Sequence, residues 1–338
     1  YALQNQNAGA DAYNVAVGYT AGQNVSTGAN NTLVGGLAGD ALTTGVRNTA
    51  VGYNALGAED AHGYNTAIGY NTLAVQDAGT DAYNTAVGYG AGMLISTGVR
   101  NTLIGTSAGD ALTTGNYNIA IGMYALSTED AGSNNVAIGY EALRVQDAGA
   151  DAYNVAVGHA AGAAVSTGIY NTIMGGLAGD ALTTGTKNVA IGYQALSTED
   201  AHGRNVAIGY KALETQDAGA DAYNIAIGAD AGGLVSTGVR NTIMGGQAGD
   251  ALTTGSYNIA IGFKALTSED TGSNNVAIGY EALHTQNYDG YGYNVAVGYH
   301  AGVSVTTGRY NVLLGALAGD SITAGEYNIA LGYNALAG

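Results

Sequence analysis

One pattern constrains this chain more than any other: an asparagine, three small or branched residues and a glycine, recurring from one end to the other. The asparagine falls at Asn14, Asn31, Asn48, Asn65, Asn84, Asn101, Asn118 and so on to Asn328, nineteen times in all. Its position number advances by 17, 17, 17 and 19 and then the series begins again. A longer cycle of four units is therefore superimposed, running from Asn14 to Asn84, from Asn84 to Asn154 and onward. Self-similarity at a short fixed spacing marks a repeat architecture, in which each unit packs only on its neighbours.

Within a unit such as Asn48-Thr49-Ala50-Val51-Gly52, branched residues alternate with a small one, which is the period of a strand. Such a unit is too short for a hairpin with its own core, but it suffices for one turn of a parallel β-solenoid. The chain has 56 Gly and no Pro. That suits a stack in which each backbone N–H is wanted by the next turn and the corners need positive φ. The expected fold is therefore all-β: one repetitive parallel β-solenoid over residues 1–338, of nineteen turns whose lengths follow the asparagine spacing of 17, 17, 17 and 19. Stacked at ~4.8 Å per turn, it would form a rod roughly 85 to 90 Å long. Asn48, Asn65, Asn84, Asn101 and Asn118 are expected at left-handed corners, with their amides stacked as a structural ladder.

The four turn types can be named a, b, c and d, beginning at Asn14, Asn31, Asn48 and Asn65. The first and third residues after the asparagine are mostly branched and are assigned to the inside. The second, Ala except for Leu or Ile in type b, is assigned to the outside. The fifth is mostly Tyr but small in type b, as at Gly36 and Gly176. This large-for-small exchange reads as volume conserved in one packed space outside the turn. Such an outward apolar stripe calls for burial against other copies of the chain.

Strings such as Asn135-Val136-Ala137-Ile138-Gly139 and Asn188-Val189-Ala190-Ile191-Gly192 resemble the head repeats of YadA-type trimeric autotransporter adhesins. The run Thr66-Ala67-Ile68-Gly69-Tyr70-Asn71-Thr72-Leu73 is similar to repeats of phage tail-fibre-like proteins. The resemblance covers essentially the whole chain and implies a left-handed β-roll assembled as a homotrimer. The turns are longer here than in the compact head repeats. Both ends fall within a turn, so the sequence reads as a piece of a longer fibre.

Nine Lys+Arg stand against 26 Asp+Glu, a net charge of −17, which argues against nucleic acid and anionic membrane surfaces as partners. No apolar run is long enough for membrane insertion, and without Cys neither disulfides nor thiolate metal sites can form. The acids cluster where turn c meets turn d: Glu59, Asp60, Asp77 and Asp81, then Glu129, Asp130, Asp147 and Asp151, then Glu199, Asp200, Asp217 and Asp221. Asp60 and Asp77 occupy the same place in adjacent turns and should lie ~5 Å apart. These groups are either plain solvated turns or oxygen-rich sites for Ca²⁺, the one cofactor the sequence suggests. Tyr83, Tyr153 and Tyr223, just before the a-turn asparagine, are candidates for stacking on a glycan, or else pack the turn. The basic residues Arg47, Arg100, Lys187, Arg204 and Arg240 are expected to offset nearby acids.

No P-loop, nucleophile elbow or HExxH is present, and an acid pair repeated in each four-turn cycle is unlike the single constellation of an active site. The expected role is accordingly not enzymatic. It is a rigid extracellular or virion-borne fibre or adhesin segment for display and surface attachment, its main partner itself, with a cell-surface glycan or protein as receptor. A self-polymerising surface filament and a tailspike-like carbohydrate-processing enzyme are the alternatives.

Overall fold

The computed structural model describes residues 1–337. The residues fall into two compact units, Tyr1–Tyr170 and Asn171–Gly338. The first holds nine three-residue strands, β1 (Val15–Val17) to β9 (Val155–Val157), and the second holds ten, β10 (Thr172–Met174) to β19 (Ile329–Leu331). Within each unit every strand pairs in parallel with the next, so each unit is a parallel β-solenoid. Among the described residues there is no helix, and hence none long and apolar enough to cross a membrane. The register joins equivalent residues of the repeat, as in Thr49↔Thr66, Ala50↔Ala67 and Val51↔Ile68, and across the longer interval Thr66↔Thr85.

The glycine ending each strand is required by this stacking. Gly52 sits at φ 140°, and a Cβ there would overlap the carbonyl oxygen of Gly69 in the next turn. The other corners are not taken by glycine alone. Arg47, Tyr64 and Tyr83, each just before an asparagine, have φ of 56°, 63° and 54°. The left-handed residue is therefore the one before the asparagine, and the asparagine itself has ordinary φ, contrary to the sequence-based expectation. Each such residue carries a local cost of about 1–2 kcal/mol, offset by the inter-turn hydrogen bonds it allows. Arg47 N–H, for example, donates to the Ala29 carbonyl at 3.0 Å and Tyr64 N–H to Val46 at 3.1 Å.

The two faces of the strand are reversed from the sequence assignment. The middle residue points inward and is buried in every strand but the first: Ala50, Leu33 and Ile173 are each 0% exposed. The flanking residues point outward, with Ile68, Ile104 and Met174 at 37%, 39% and 41% exposure. The turn is too thin to hold two branched rows, so alanine faces inward and the eighth residue after the asparagine fills the space, as Leu56 and Leu73 do in types c and d. In types a and b that eighth residue is Gly22 and Gly39, and Leu33 occupies the vacated volume. A Cβ at Gly22 would lie 2.6 Å from Leu33 Cδ1, and one at Gly39 2.8 Å from Leu33 Cδ2. Volume is thus conserved between the second and eighth positions inside the turn. The fifth position lies outside, where Tyr53 and Tyr70 are 50% and 44% exposed.

Candidate metal centre

The asparagines form a buried column. Oδ1 of each accepts the backbone N–H of the next, as in Asn65 N–H to Asn48 (3.0 Å), Asn101 to Asn84 (2.8 Å) and Asn118 to Asn101 (2.9 Å). Nδ2 donates to the carbonyl fourteen residues on: Asn48 to His62 (3.0 Å) and Asn101 to Gly115 (2.9 Å). The longer d turn breaks this pattern. Its extra residues carry the corresponding carbonyl away, and Asn65 Nδ2 and Asn135 Nδ2 are buried without a hydrogen-bond partner. Gln76 lies on the same turn, its Oε1 accepting Nδ2 of the next asparagine, Asn84, at 2.5 Å, and its Nε2 buried without a hydrogen-bond partner.

Gln76 belongs to a second internal column, the eleventh residue after the asparagine, which reads Val25, Leu42, Glu59, Gln76 through the four turn types. An ionisable side chain is therefore built into the core once in each four-turn cycle, and Glu59, Glu129, Glu199 and Glu269 are all 0% exposed. Burial raises the pKa of each, and for Glu269 it does so to about 7 despite N–H donors from Gly272 and Tyr288 that favour the ionised form. The Glu59 and Glu199 carboxylates are raised by burial and partly drawn back by the His62 and His202 backbone and imidazole.

Around these buried acids the turns bring further donors together. Oxygen and nitrogen atoms of Glu59, Asp60, His62 and Asp77 lie within 4.8 Å of one another, as do those of Glu199, Asp200, His202 and Asp217, and of Glu129, Asp130 and Asp147. The expected juxtaposition of Asp60 with Asp77 is thus present, with Glu59 beneath it and His62 as a member that sequence reasoning passed over. In the fourth copy Asp270, Asn287, Tyr288, Asp289 and Thr307 line an open hollow instead.

The second aspartate of each d turn does other work. Asp81 and Asp221 accept the N–H of Gly63 and Gly203, both at 3.1 Å, and Asp221 also pairs with Arg204 at 3.0 Å. Asp151 accepts the Tyr153 hydroxyl at 3.4 Å. The Asp-Ala-Gly-Xaa-Asp segment therefore does not converge on one point.

The tyrosines stand outside in stacked files. Tyr53, Tyr70 and Tyr89 stack at centroid spacings of 5.5 and 5.2 Å. Tyr83 stacks on Tyr64 at 4.8 Å and has Arg100 5.9 Å from its ring; Tyr153 stacks on Tyr170 at 5.7 Å; Tyr223 has Arg204 and Arg240 at 5.1 and 6.0 Å. Neighbouring side chains thus cover these rings, leaving edges and hydroxyls as the freer parts. Arg47, Arg100 and Arg240 donate to the hydroxyls of Tyr64, Tyr117 and Tyr257. Among the candidate basic residues with side-chain bonds described here, only Arg204 also meets an acid. Stacking on the neighbouring turn's ring explains their place better than charge balance does.

The buried glutamate is the feature that sequence reasoning missed. Its signal was available: the turns in register show Val, Leu, Glu and Gln in one column, two apolar and two polar, which marks the acid as sharing an interior position. No protein-family model matches this chain, and no curated protein matches it.

Proposed function

We propose that this chain is a segment of a rigid structural fibre, acting outside the cell or on a virion for display and surface attachment. It is a homotrimer of left-handed β-rolls, whose turn lengths repeat the asparagine spacing of 17, 17, 17 and 19. The observation that carries this reading is the outward face of the strands. Successive turns present two rows of Val, Ile, Leu, Met and Thr, most of them half-buried and some, such as Ile68, Ile104 and Met174, more than a third exposed, beside a file of stacked Tyr. In the first unit nine strands give a strip about 38 Å tall. A continuous apolar strip of that kind is the surface an oligomer covers. A second copy is the fitting occupant, because it carries the same rows at the same spacing. The resemblance to adhesin-head and tail-fibre repeats favours the trimer, and the repetition of every acid cluster favours a mechanical over a chemical role.

Sedimentation equilibrium tests this directly. Three chains of 33.6 kDa give about 100 kDa. A species of 33.6 kDa across the micromolar range would overturn the trimer, and a concentration-dependent ladder of sizes would replace it with end-to-end polymerisation. Release of sugars from polysaccharide by purified protein would overturn the non-enzymatic role.

A further inference from the structure

We propose that Glu59, Asp60, His62 and Asp77, and their copy Glu199, Asp200, His202 and Asp217, each form a binding site for a divalent transition-metal ion of the zinc type, and that the acid cluster at Glu129 does not. The argument begins with what differs between the copies. Where the residue three after the glutamate is glycine, the carboxylate is satisfied by backbone. Glu129 accepts from Gly132 N–H at 2.7 Å and from Ala148 N–H of the next turn at 3.5 Å; Glu269 accepts from Gly272 at 2.8 Å and from Tyr288 at 3.4 Å. A Cβ at Gly132 or Gly272 would overlap that carboxylate. A histidine there therefore excludes this placement.

In the two histidine copies the consequence is visible. Oε1 still accepts the N–H three residues on, at 3.0 Å for His62 and 3.1 Å for His202. Oε2 of Glu59 and of Glu199 accepts no such amide from the next turn and is left buried with no hydrogen-bond partner, while Nδ1 of His62 and of His202 is buried beside the other oxygen, Oε1, at ion-pair rather than hydrogen-bond distance. Orphaned polar atoms at this depth ordinarily carry a cost and call for an explanation. Here they belong to a glutamate and a histidine that share one cluster, and that cluster also includes the Asp60 and Asp77 carboxylates from adjacent turns.

The geometry and chemistry select the ion. Nδ1 lies 3.5 Å in one copy and 3.4 Å in the other from Oε1, the oxygen that already accepts a backbone N–H, so the same carboxylate carries Oε2 as the oxygen left for an ion. Ligands on bonds of about 2.0–2.1 Å in a tetrahedron are separated by about 3.3 Å. Small movements of side chains already within 4.8 Å of one another complete such a set. One imidazole and three carboxylates suit zinc and its neighbours, whereas calcium asks for six to eight oxygens at longer range. In the Glu129 copy the second carboxylate oxygen is already engaged and no nitrogen ligand is present.

The test is calorimetric titration of the full chain, first stripped with chelator, with zinc chloride and separately with calcium chloride. The expected result is two zinc ions per chain, one in His62→Gly and none of this class in the double variant His62→Gly/His202→Gly, while calcium fails to compete. Loss of a direct ligand should weaken a site by more than the roughly 10–100-fold typical of losing an outer-shell partner. Glycine is what the chain itself carries at 132 and 272, so these variants should keep the fold, which circular dichroism checks. Asp77→Asn offers a second, independent way to weaken the first site alone. No saturable zinc binding, an unchanged stoichiometry in the double variant, or equal saturation by calcium would each overturn the proposal.

Discussion

Glu269 offers a direct measure of what an acid costs inside so thin a core. Its carboxyl is fully buried and its pKa is raised from 4.5 to about 7, with desolvation as the first cause. An acid whose folded pKa lies above its unfolded one holds a proton longer in the native state. Its full contribution to stability is present below the unfolded value and is lost as pH rises through the folded one. Between pH 4.5 and 7 the loss is roughly 3 kcal/mol, from about 1.36 kcal/mol per pKa unit. The replacement Glu269→Gln keeps the shape and removes the titration. Losing one acceptor for the Gly272 or Tyr288 N–H lowers stability by a nearly pH-independent amount of about 1–3 kcal/mol. The melting temperature of the variant relative to wild type should therefore climb from pH 4.5 to about 7 and level off above it. With about 2.1 cal/mol/K of unfolding entropy per residue, ~3 kcal/mol is about 4 °C if the chain melts as one and about 8 °C if residues 171–338 melt alone. Thermal melts by circular dichroism at four pH values suffice. Parallel curves for the two proteins, with a constant offset, would refute the placement of an ionisable acid in the core.

Leu33→Ala should cost about 2–5 kcal/mol, because one side chain fills the space above two glycines in consecutive turns; a urea midpoint unchanged from wild type would contradict that packing. Gly52→Ala should be at least as damaging, since its Cβ meets a backbone carbonyl at φ 140°, and failure to recover folded protein or a strongly lowered melt is the expected observation. Asn101→Ala should cost about 1–3 kcal/mol more than Asn135→Ala, because Asn101 satisfies both Asn118 N–H and the Gly115 carbonyl whereas Asn135 Nδ2 satisfies nothing; chemical denaturation of the two variants side by side decides it.

The parallel stack was legible because it needs only counting: the recurrence of asparagine and glycine reports the strands and their order without any knowledge of packing. The face of the strand was not legible, because alternation says which residues share a side but not which side is inside. Volume decided that. A turn closed by two glycine-rich bends leaves room for alanine or a single leucine, and only the eighth position, read together with the second, shows it. The acid cluster was half legible. Asp60 and Asp77 follow from register alone, whereas the inward course of Glu59 and the approach of His62 depend on where the chain bends after the strand.

That dependence on bends bears on how the molecule is held together. The interior is one side chain deep, a file of Ala and Leu beside a file of Asn, so apolar burial per turn is small and the backbone ladder carries much of the specificity. In this column the a and b turns carry Val25 and Leu42, fully buried, and the polar residues are confined to the c and d turns. In the c and d turns the polar network is irregular: Asn65 Nδ2 is unpaired, and Gln76 bonds Asn84 through Oε1 alone. The acid of turn c meets that irregular neighbour and draws on the amides of the longer bend, as Glu129 does with Ala148 N–H. The buried Glu and Gln thus recur once in each four-strand cycle and bring polar chemistry into the core at a fixed interval. Where histidine replaces glycine beside that Glu, the amide is withheld, and the acid is left facing an imidazole instead.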